Sequence, residues 1–298
     1  METAFDFEII FDTFGIQIKD QKYESEKYTL YNLKLCKNEL RNRLHCKFAT
    51  NLDYYLHSEC LLGIKLKARD QKEAIQLAIN DCQKFDFILN FIYSSEHRSG
   101  GVMYYNSTKD HNFIILCSDK TQTGSSSFNN GYNQTIYIDQ NPFISKNESK
   151  IWNLLIKTKL TDLENRILDA IIWFGKATTD PSPSQALTLY TFAIERILRI
   201  EEKGIISPSI AYQISENMAF ILGTKVEERK KIQKDIKKLY ENRSKIVHGS
   251  NKKQNYTDLQ EAKVYSNKLI HTLLNEKPYC QFNQIKDLSE HLILLKFK

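Results

Sequence analysis

The chain has 298 residues, of which 41% are hydrophobic and 26% charged, and this composition is typical of a globular protein with room for two domains. No apolar run approaches the ~20 residues that a membrane-spanning helix needs, so we expect no membrane association. The formal net charge of +6 is modest, and its distribution along the chain is therefore more informative than its size.

The six cysteines are scattered along the chain without paired spacing. This predicts reduced thiols rather than a disulfide framework, and the spacing matches no zinc-binding pattern. We therefore predict neither a metal site nor another cofactor. The first residues are acidic and contain no apolar signal region, which favours a cytoplasmic protein over a secreted one.

Residues 1–147 mix strand-like and helix-like patterns, which predicts a mixed α/β domain. The patterns do not indicate its role, which could be to sense a signal or to bind a partner or substrate. Apolar residues alternate at positions 5–11 and 14–18, which predicts two strands with a turn at Asp12 and Thr13. Asp70 and Glu73 resemble a helix-capping pair, and apolar residues recur at helical spacing after them as far as residue 92. Further strands are predicted at 28–36, 64–68, 102–105, 113–117 and 135–138.

Residues 148–298 have helical periodicity almost throughout, which predicts an all-α bundle and, for the whole chain, the α+β fold class. Short connections favour antiparallel packing of successive helices. The segment 178–184 is rich in Pro and Ser, and such residues are typical of a helix start. Helices are predicted at about 148–159, 162–176, 185–202, 207–223 and 225–248, and from 257 onward.

An arginine interrupts the apolar face of the helix predicted at 225–248. Ile232, Ile236, Leu239 and Arg243 recur at steps of three and four, the spacing of one helix face. A charged side chain on a buried face requires a partner or a functional role. Residues 225–253 also carry eleven Lys or Arg against four Asp or Glu, a local charge of +7. That excess indicates either a solvated helix face or a surface that binds a polyanion.

Arg243 and His248 together have the chemistry that phosphodiester cleavage requires. A guanidinium donates a planar pair of N–H groups to phosphate, and an imidazole titrates near neutral pH. Five residues at 100° each separate the two side chains by about 140° on an ideal helix, so a shared site needs a distorted last turn or a second copy of the chain. The structural alternative is that Arg243 pairs with a buried glutamate and that His248 caps helix carbonyls.

Residues 243–249, RSKIVHG, resemble the R-x4-6-H motif of the HEPN superfamily and are most similar to its Apea-like branch. Residues 186–198, ALTLYTFAIERIL, are similar to an earlier helix of that branch, which carries an acidic residue. The resemblance covers residues from about 150 to 275. It implies a helical bundle that forms a homodimer with two motifs in one cleft. It also implies metal-independent RNA cleavage by attack of the 2′-OH, which leaves a 2′,3′-cyclic phosphate and a 5′-OH.

The resemblance implies roles for three residues of the bundle. His248 would be the acid–base residue, and Arg243 would hold the scissile phosphate and stabilise charge in the transition state. Glu195 would orient Arg243 across the bundle, or the two would form a purely structural salt bridge.

Other residues near the motif have less specific expectations. Lys245, Lys252 and Lys253 would contact the RNA backbone or simply be solvated. Active members of the family often carry Asn, Asp or His directly after the arginine, whereas here that residue is Ser244. Asn242, directly before the arginine, is the substitute polar group that we identify.

Three functional hypotheses follow. The first is an endoribonuclease that acts as a toxin or anti-phage effector, with residues 1–147 binding an antitoxin or a phage-derived trigger. The second is a non-catalytic HEPN module that binds nucleotide, RNA or a partner protein. The third is a scaffold in which the bundle is only a dimerisation surface. The presence of both Arg243 and His248 favours the first hypothesis over the second.

Overall fold

The computed structural model combines a mainly antiparallel sheet with a helical region, so the predicted α+β class is confirmed. The chain divides into two compact units, Met1–Ile156 and Lys157–Lys298. Within the described residues, no helix is both long enough and apolar enough to cross a membrane. The structure describes residues 4–43, 59–93, 101–102, 113–117, 124–125, 135–146, 148–200, 209–247 and 256–297. At 101–102, 113–117 and 124–125 the description covers the backbone and its strand pairing, not the side chains.

The first unit is built on a sheet whose central strand is β1. This strand lies between β5 and β7 and pairs antiparallel with β5, β6 and β7. The main path through the sheet is β3-β4-β5-β1-β7-β8, while β2 and β9 form a separate parallel pair. The strands are β1 (Phe5–Phe14), β2 (Ile16–Ile18), β3 (Lys22–Glu24), β4 (Tyr28–Asn32), β5 (Cys60–Ala68), β6 (Gly101–Val102), β7 (Phe113–Cys117), β8 (Gly124–Ser125) and β9 (Ile136–Ile138).

The described part of the first unit also contains the helices α1 (Leu33–Arg43), α2 (Gln71–Tyr93) and α3 (Ser149–Ile156). Helix α2 begins where the capping pair predicted, because Asp70 Oδ1 accepts a hydrogen bond from the Glu73 backbone N–H at 2.8 Å. Its buried face packs against β5 and β1. The sheet and α2 thus enclose the apolar core of this unit.

Helix α3 packs within the first unit. The Trp152 ring centroid lies 4.8 Å from that of Phe85 on α2 and 5.4 Å from that of Phe143. Trp152 has no exposed surface. The prediction grouped residues 148–156 with the helical domain, whereas their contacts place them in the first unit. Periodicity indicated a helix but not the surface against which it packs.

Two local predictions for the first unit are wrong. Asp12 and Thr13 do not form a turn but are buried inside β1, where Thr13 Oγ1 donates to the Cys60 carbonyl at 2.6 Å. The chain turns instead at Gly15, whose φ of 59° is readily adopted only by glycine. Residues 33–36 were predicted as strand but begin α1, which buries Cys36 and Leu40, four residues apart.

The structure shows no disulfide among the cysteine side chains that it describes. Cys36, Cys60 and Cys82 are buried, and Cys280 is exposed. Burial raises the pKa of the Cys60 and Cys82 thiols, which keeps both protonated and unreactive.

The second unit is a helical bundle. Helix α4 packs on α5 and α6 packs on α7, while α8 contacts all four of these helices. Helix α9 packs on α6 and was not predicted. The helices are α4 (Asp162–Thr179), α5 (Pro183–Leu198), α6 (Ile210–Leu222), α7 (Val226–Val247), α8 (Tyr256–Asn275) and α9 (Ile285–Lys296), with a 3-10 turn at Tyr279–Gln281 before the last.

Polar caps set where the bundle helices begin. Thr161 and Glu164 form a capping box at the start of α4. Ser182 Oγ accepts from the Gln185 backbone N–H at 3.4 Å, and Pro183 occupies the first turn of α5, which confirms the helix start predicted from the Pro/Ser segment.

At the start of α7, Glu228 Oε2 accepts from the backbone N–H groups of Thr224 and Lys225 at 3.0 and 3.2 Å. Glu228 thus provides the acceptor for two backbone N–H groups at the start of α7.

Candidate active site

Arg243 lies on the inner face of α7, one helical turn beyond Leu239. The preceding members of the same stripe, Ile232, Ile236 and Leu239, are buried. The Arg243 side chain is 24% exposed, so most of it lies within the bundle as the spacing predicted. Helix α7 therefore brings a permanent positive charge into an otherwise apolar stripe.

Glu195 of α5 is the partner of Arg243. Arg243 Nη1 lies 3.2 Å from Glu195 Oε2, and the Glu195 side chain is 14% exposed. The guanidinium carbon is 4.7 Å from the ring centroid of Phe192 and 5.9 Å from that of Tyr240, both within cation–π range. Helices α5 and α7 thus hold the guanidinium between a carboxylate and aromatic rings.

The Arg243–Glu195 contact is an ion pair rather than a hydrogen-bonded fork. Arg243 Nε and Glu195 Oε2 are buried, and neither forms a hydrogen bond to another described residue. Arginine binds phosphate best when two of its N–H groups donate in parallel. Arg243 Nε–H is therefore a donor without an acceptor among the described residues, and a phosphate oxygen can accept from it once the side chain moves to expose it.

Tyr240 closes the inner side of the site. It is buried, and its hydroxyl lies 3.5 Å from the Thr191 carbonyl oxygen. Burial raises the pKa of Tyr240, and the negative charge of Glu195 raises it further. The phenol therefore stays protonated at physiological pH and does not serve as a base.

The other residues of α7 that the sequence singled out point away from Glu195. Asn242 Nδ2 donates to Asp258 Oδ2 on α8 at 2.8 Å. Ser244 and Lys245 are exposed. Because adjacent helical residues are rotated by 100°, the neighbours of Arg243 cannot share its partner. Predicted residues His248, Lys252 and Lys253 lie outside the described residues.

The basic excess on α7 is partly paired within the bundle. Lys231 Nζ lies 2.6 Å from Asp235, and Lys238 Nζ lies 2.5 Å from Asp258 and 3.8 Å from Glu261. These carboxylates neutralise part of the local charge of +7, so the sequence count exceeds the charge that α7 presents to solvent.

A cavity of about 470 Å³ adjoins the Arg243–Glu195 pair, and sequence analysis identified only one of its residues, Glu195. Helical spacing in the sequence could have indicated this cavity. Positions 166, 169 and 173 on α4 lie three and four residues apart, and so do positions 192 and 195 on α5 and 199 directly after it. Each set therefore occupies one helix face and combines charged with aromatic side chains. The cavity is lined by Arg166, Trp173, Phe192, Glu195, Arg196 and Arg199.

No cluster of three or more His, Cys, Asp or Glu with the geometry of a metal site occurs in the described ranges. No family model matches the sequence, and no curated protein matches it. No solved structure matches the fold. Any functional assignment therefore rests on the sequence motif and on the geometry around Arg243.

Proposed function

We propose that the protein is a metal-independent endoribonuclease of HEPN type. The observation that supports this proposal is the environment of Arg243. A buried-face guanidinium is held by Glu195 and Phe192 at the end of a bundle helix, five residues before His248. Glu195 and Phe192 also line a cavity with arginine and aromatic side chains. A fixed cation with an N–H donor that has no acceptor among the described residues suits the phosphate of a polyanion.

The proposed reaction is an internal transfer at phosphorus. The 2′-oxygen forms a bond to the adjacent phosphorus while the bond from phosphorus to the 5′-oxygen breaks, which leaves a 2′,3′-cyclic phosphate and a 5′-OH. His248, as the acid–base residue, takes the proton of the 2′-OH and gives it to the leaving 5′-oxygen, and Arg243 stabilises the charge that builds up on the phosphate. The need for a 2′-OH restricts the substrate to RNA.

The wider proposal concerns assembly and control. Two chains pair through the bundle, so that two motifs form one cleft, and Lys245, Lys252 and Lys253 contact the RNA backbone. The first unit binds an antitoxin or a phage-derived trigger, and the protein acts in the cytoplasm as a toxin or defence effector.

A second candidate is a non-catalytic HEPN module that binds nucleotide, RNA or a protein. The ion pair with Glu195 favours this candidate, because it already gives Arg243 a structural role. Asn242, the substitute polar group, donates to Asp258 instead of facing the cavity side of α7.

Cleavage of a mixed RNA pool in EDTA separates the two candidates. We expect wild-type protein to fragment the RNA, and Arg243→Ala and His248→Ala to reduce the rate by about 100-fold or more. Lys230→Ala removes an exposed cation from the same helix, paired only loosely with Glu227 at 3.5 Å, and should retain wild-type activity. It is therefore the matched control.

Three other results would contradict the nuclease, its assigned site or its independence of metal. RNA that is bound but left intact by the wild type supports the non-catalytic module. Equal cleavage by all variants means that the assigned site is wrong. Loss of cleavage in EDTA, with recovery after addition of Mg²⁺, indicates a metal-dependent reaction instead.

A further inference from the structure

The cavity between α4 and α5 has two sources of affinity for a nucleotide. One is aromatic: Trp173 and Phe192 meet edge to face, with ring centroids 5.7 Å apart. Both rings are half-buried, so each keeps surface toward solvent. Bases stack on such rings whatever their sequence, because every base has a π-face.

The other source is three arginines, Arg166, Arg196 and Arg199, which differ in how firmly their side chains are held. Arg166 is fixed, since its Nη1 donates to the carbonyls of Arg196 and Arg199 at 3.3 and 3.0 Å and its Nε to Asp162 at 3.3 Å. It therefore stabilises the end of α5 and orients the two arginines there.

Arg196 and Arg199 each form an ion pair, and the side chains of both arginines are exposed. Arg196 Nε donates to Asp169 Oδ2 at 2.7 Å, with side chains 41% and 44% exposed. Arg199 Nη1 lies 3.6 Å from Glu195 Oε1, and the Arg199 side chain is 55% exposed. The Arg196–Asp169 pair is exposed on both sides and contributes little stability, so a phosphate with several acceptor oxygens can replace it. The Arg199 guanidinium contacts its mostly buried partner at 3.6 Å, and its exposed side can contact the same phosphate.

The cavity is continuous with the environment of Arg243. Phe192 lines the cavity and also lies under the Arg243 guanidinium. Glu195 contacts Arg199 through Oε1 and Arg243 through Oε2. A nucleotide in the cavity is therefore next to whatever phosphate Arg243 holds.

We propose that this cavity binds one nucleotide of a single-stranded RNA, with the base stacked on Trp173 and its phosphate held by Arg196 and Arg199. This inference rests on the proposed ribonuclease function and adds the subsite that seats the nucleotide neighbouring the scissile phosphate. A duplex keeps its bases stacked on one another, so it cannot place a base on Trp173.

The test uses a fluorescein-labelled 2′-O-methyl RNA of about 12 nucleotides, which has no free 2′-OH and therefore remains intact in the proposed reaction. Binding is measured by fluorescence anisotropy. Trp173→Leu keeps an apolar side chain without the aromatic face, and we expect it to raise Kd at least about fivefold. Arg199→Ala should raise Kd similarly. Trp173→Phe should stay within about twofold of wild type.

Two controls separate the cavity from general charge and folding. Arg69→Ala removes an exposed arginine from the first unit, where it pairs with Glu73 at 3.0 Å, and should leave Kd unchanged. Intrinsic tryptophan emission provides a second readout, because the only other tryptophan, Trp152, is fully buried in the first unit. Bound RNA should quench the wild type, and Trp173→Phe should abolish the quenching while binding persists.

Wild-type affinity in both Trp173→Leu and Arg199→Ala, or quenching that survives in Trp173→Phe, would overturn the proposal. Equal affinity for duplex RNA of the same sequence would also overturn it. Because the probe reports binding without cleavage, tight cavity-dependent binding by a protein that cuts no RNA supports the subsite and refutes the nuclease. Cleavage by a protein whose RNA binding does not depend on the cavity supports the nuclease and refutes the subsite.

Discussion

Arg243 is stabilised on the inner face of its helix by a residue of another helix. Glu195 lies on α5, forty-eight positions earlier in the chain, and its charge compensates a guanidinium that is three-quarters withdrawn from water. A partly buried cation without such a partner loses solvation that nothing replaces. Glu195 therefore acts on both the stability of the bundle and the orientation of Arg243.

We expect Glu195→Gln, which keeps the shape of the side chain and removes its charge, to lower the free energy of unfolding by about 1–3 kcal/mol. Cleavage per folded molecule should fall on the order of 10- to 100-fold, because Arg243 loses its alignment. The measurements are chemical denaturation and a cleavage rate well below the melting temperature. Glu241→Gln, an exposed change on α7, is the control. An unchanged rate in a destabilised Glu195→Gln protein would make the ion pair purely structural.

For single residues, the sequence predicted which face of α7 carries the Arg243 side chain but not which neighbour the Asn242 side chain contacts. Steps of three and four from Ile232 place Arg243 on the buried face. Asn242 is rotated by 100° from it, toward α8, where Asp258 accepts its amide N–H. No local pattern indicates an acceptor that is supplied by a helix beginning fourteen residues later. Periodicity therefore could not predict the hydrogen bond from Asn242 to Asp258.

The first turn of α7, the helix that carries Arg243, is capped by one carboxylate. Glu228 fixes that turn, since its carboxylate accepts from the Thr224 hydroxyl at 2.9 Å and from the Thr224 and Lys225 backbone N–H groups. The Thr224 hydroxyl, followed by these two N–H groups, lowers the pKa of Glu228 below its usual value of 4.5.

This lowered pKa predicts a pH-dependent cap. Stability from Glu228 is fully present above its unfolded pKa of about 4.5 and is lost as pH falls through the lower folded value. Glu228→Gln should therefore be less stable than wild type near pH 7, and the difference should shrink toward about pH 3. Urea denaturation followed by circular dichroism measures it. Glu227→Gln, a neighbouring change at an exposed carboxylate, should leave the wild-type pH dependence intact. Parallel pH profiles for wild type and Glu228→Gln would contradict the cap.

Elements of the second unit were predicted better than those of the first. Long amphipathic helices repeat their signal over several turns, so α4 to α8 were located from periodicity. Strand β1 buries both faces, including Asp12 and Thr13, and a polar pair inside such a strand looks like a turn in the sequence. The pairing of β1 with β5, β6 and β7 joins distant segments, which alternation alone does not specify.

For the whole molecule, the separation of about 140° between Arg243 and His248 on an ideal helix predicts a site made by two chains. In a two-fold dimer with one shared cleft, each of the two sites in that cleft then takes its arginine from one chain and its histidine from the other. A mixture of two inactive variants distinguishes this arrangement from a site within one chain.

We expect Arg243→Ala and His248→Ala proteins, each inactive alone, to regain activity when unfolded together and refolded. Half of the dimers would be mixed, and each mixed dimer has one intact site, so recovery should reach about a quarter of the wild-type rate. Light scattering confirms the dimer, and refolding each variant separately is the control. An inactive mixture of properly formed dimers would place both residues of the site in the same chain.

The most direct test of the central claim is the chemistry of the cut RNA. The proposed reaction predicts, in EDTA, fragments with a 2′,3′-cyclic phosphate and a 5′-OH that a kinase labels without prior phosphatase treatment. Replacement of the single nucleotide at a mapped cut site by its 2′-deoxy form should abolish cleavage there and nowhere else. Fragments with 5′-phosphate ends, or cleavage that persists at the 2′-deoxy position, would contradict the assignment of Arg243 and His248 to this reaction.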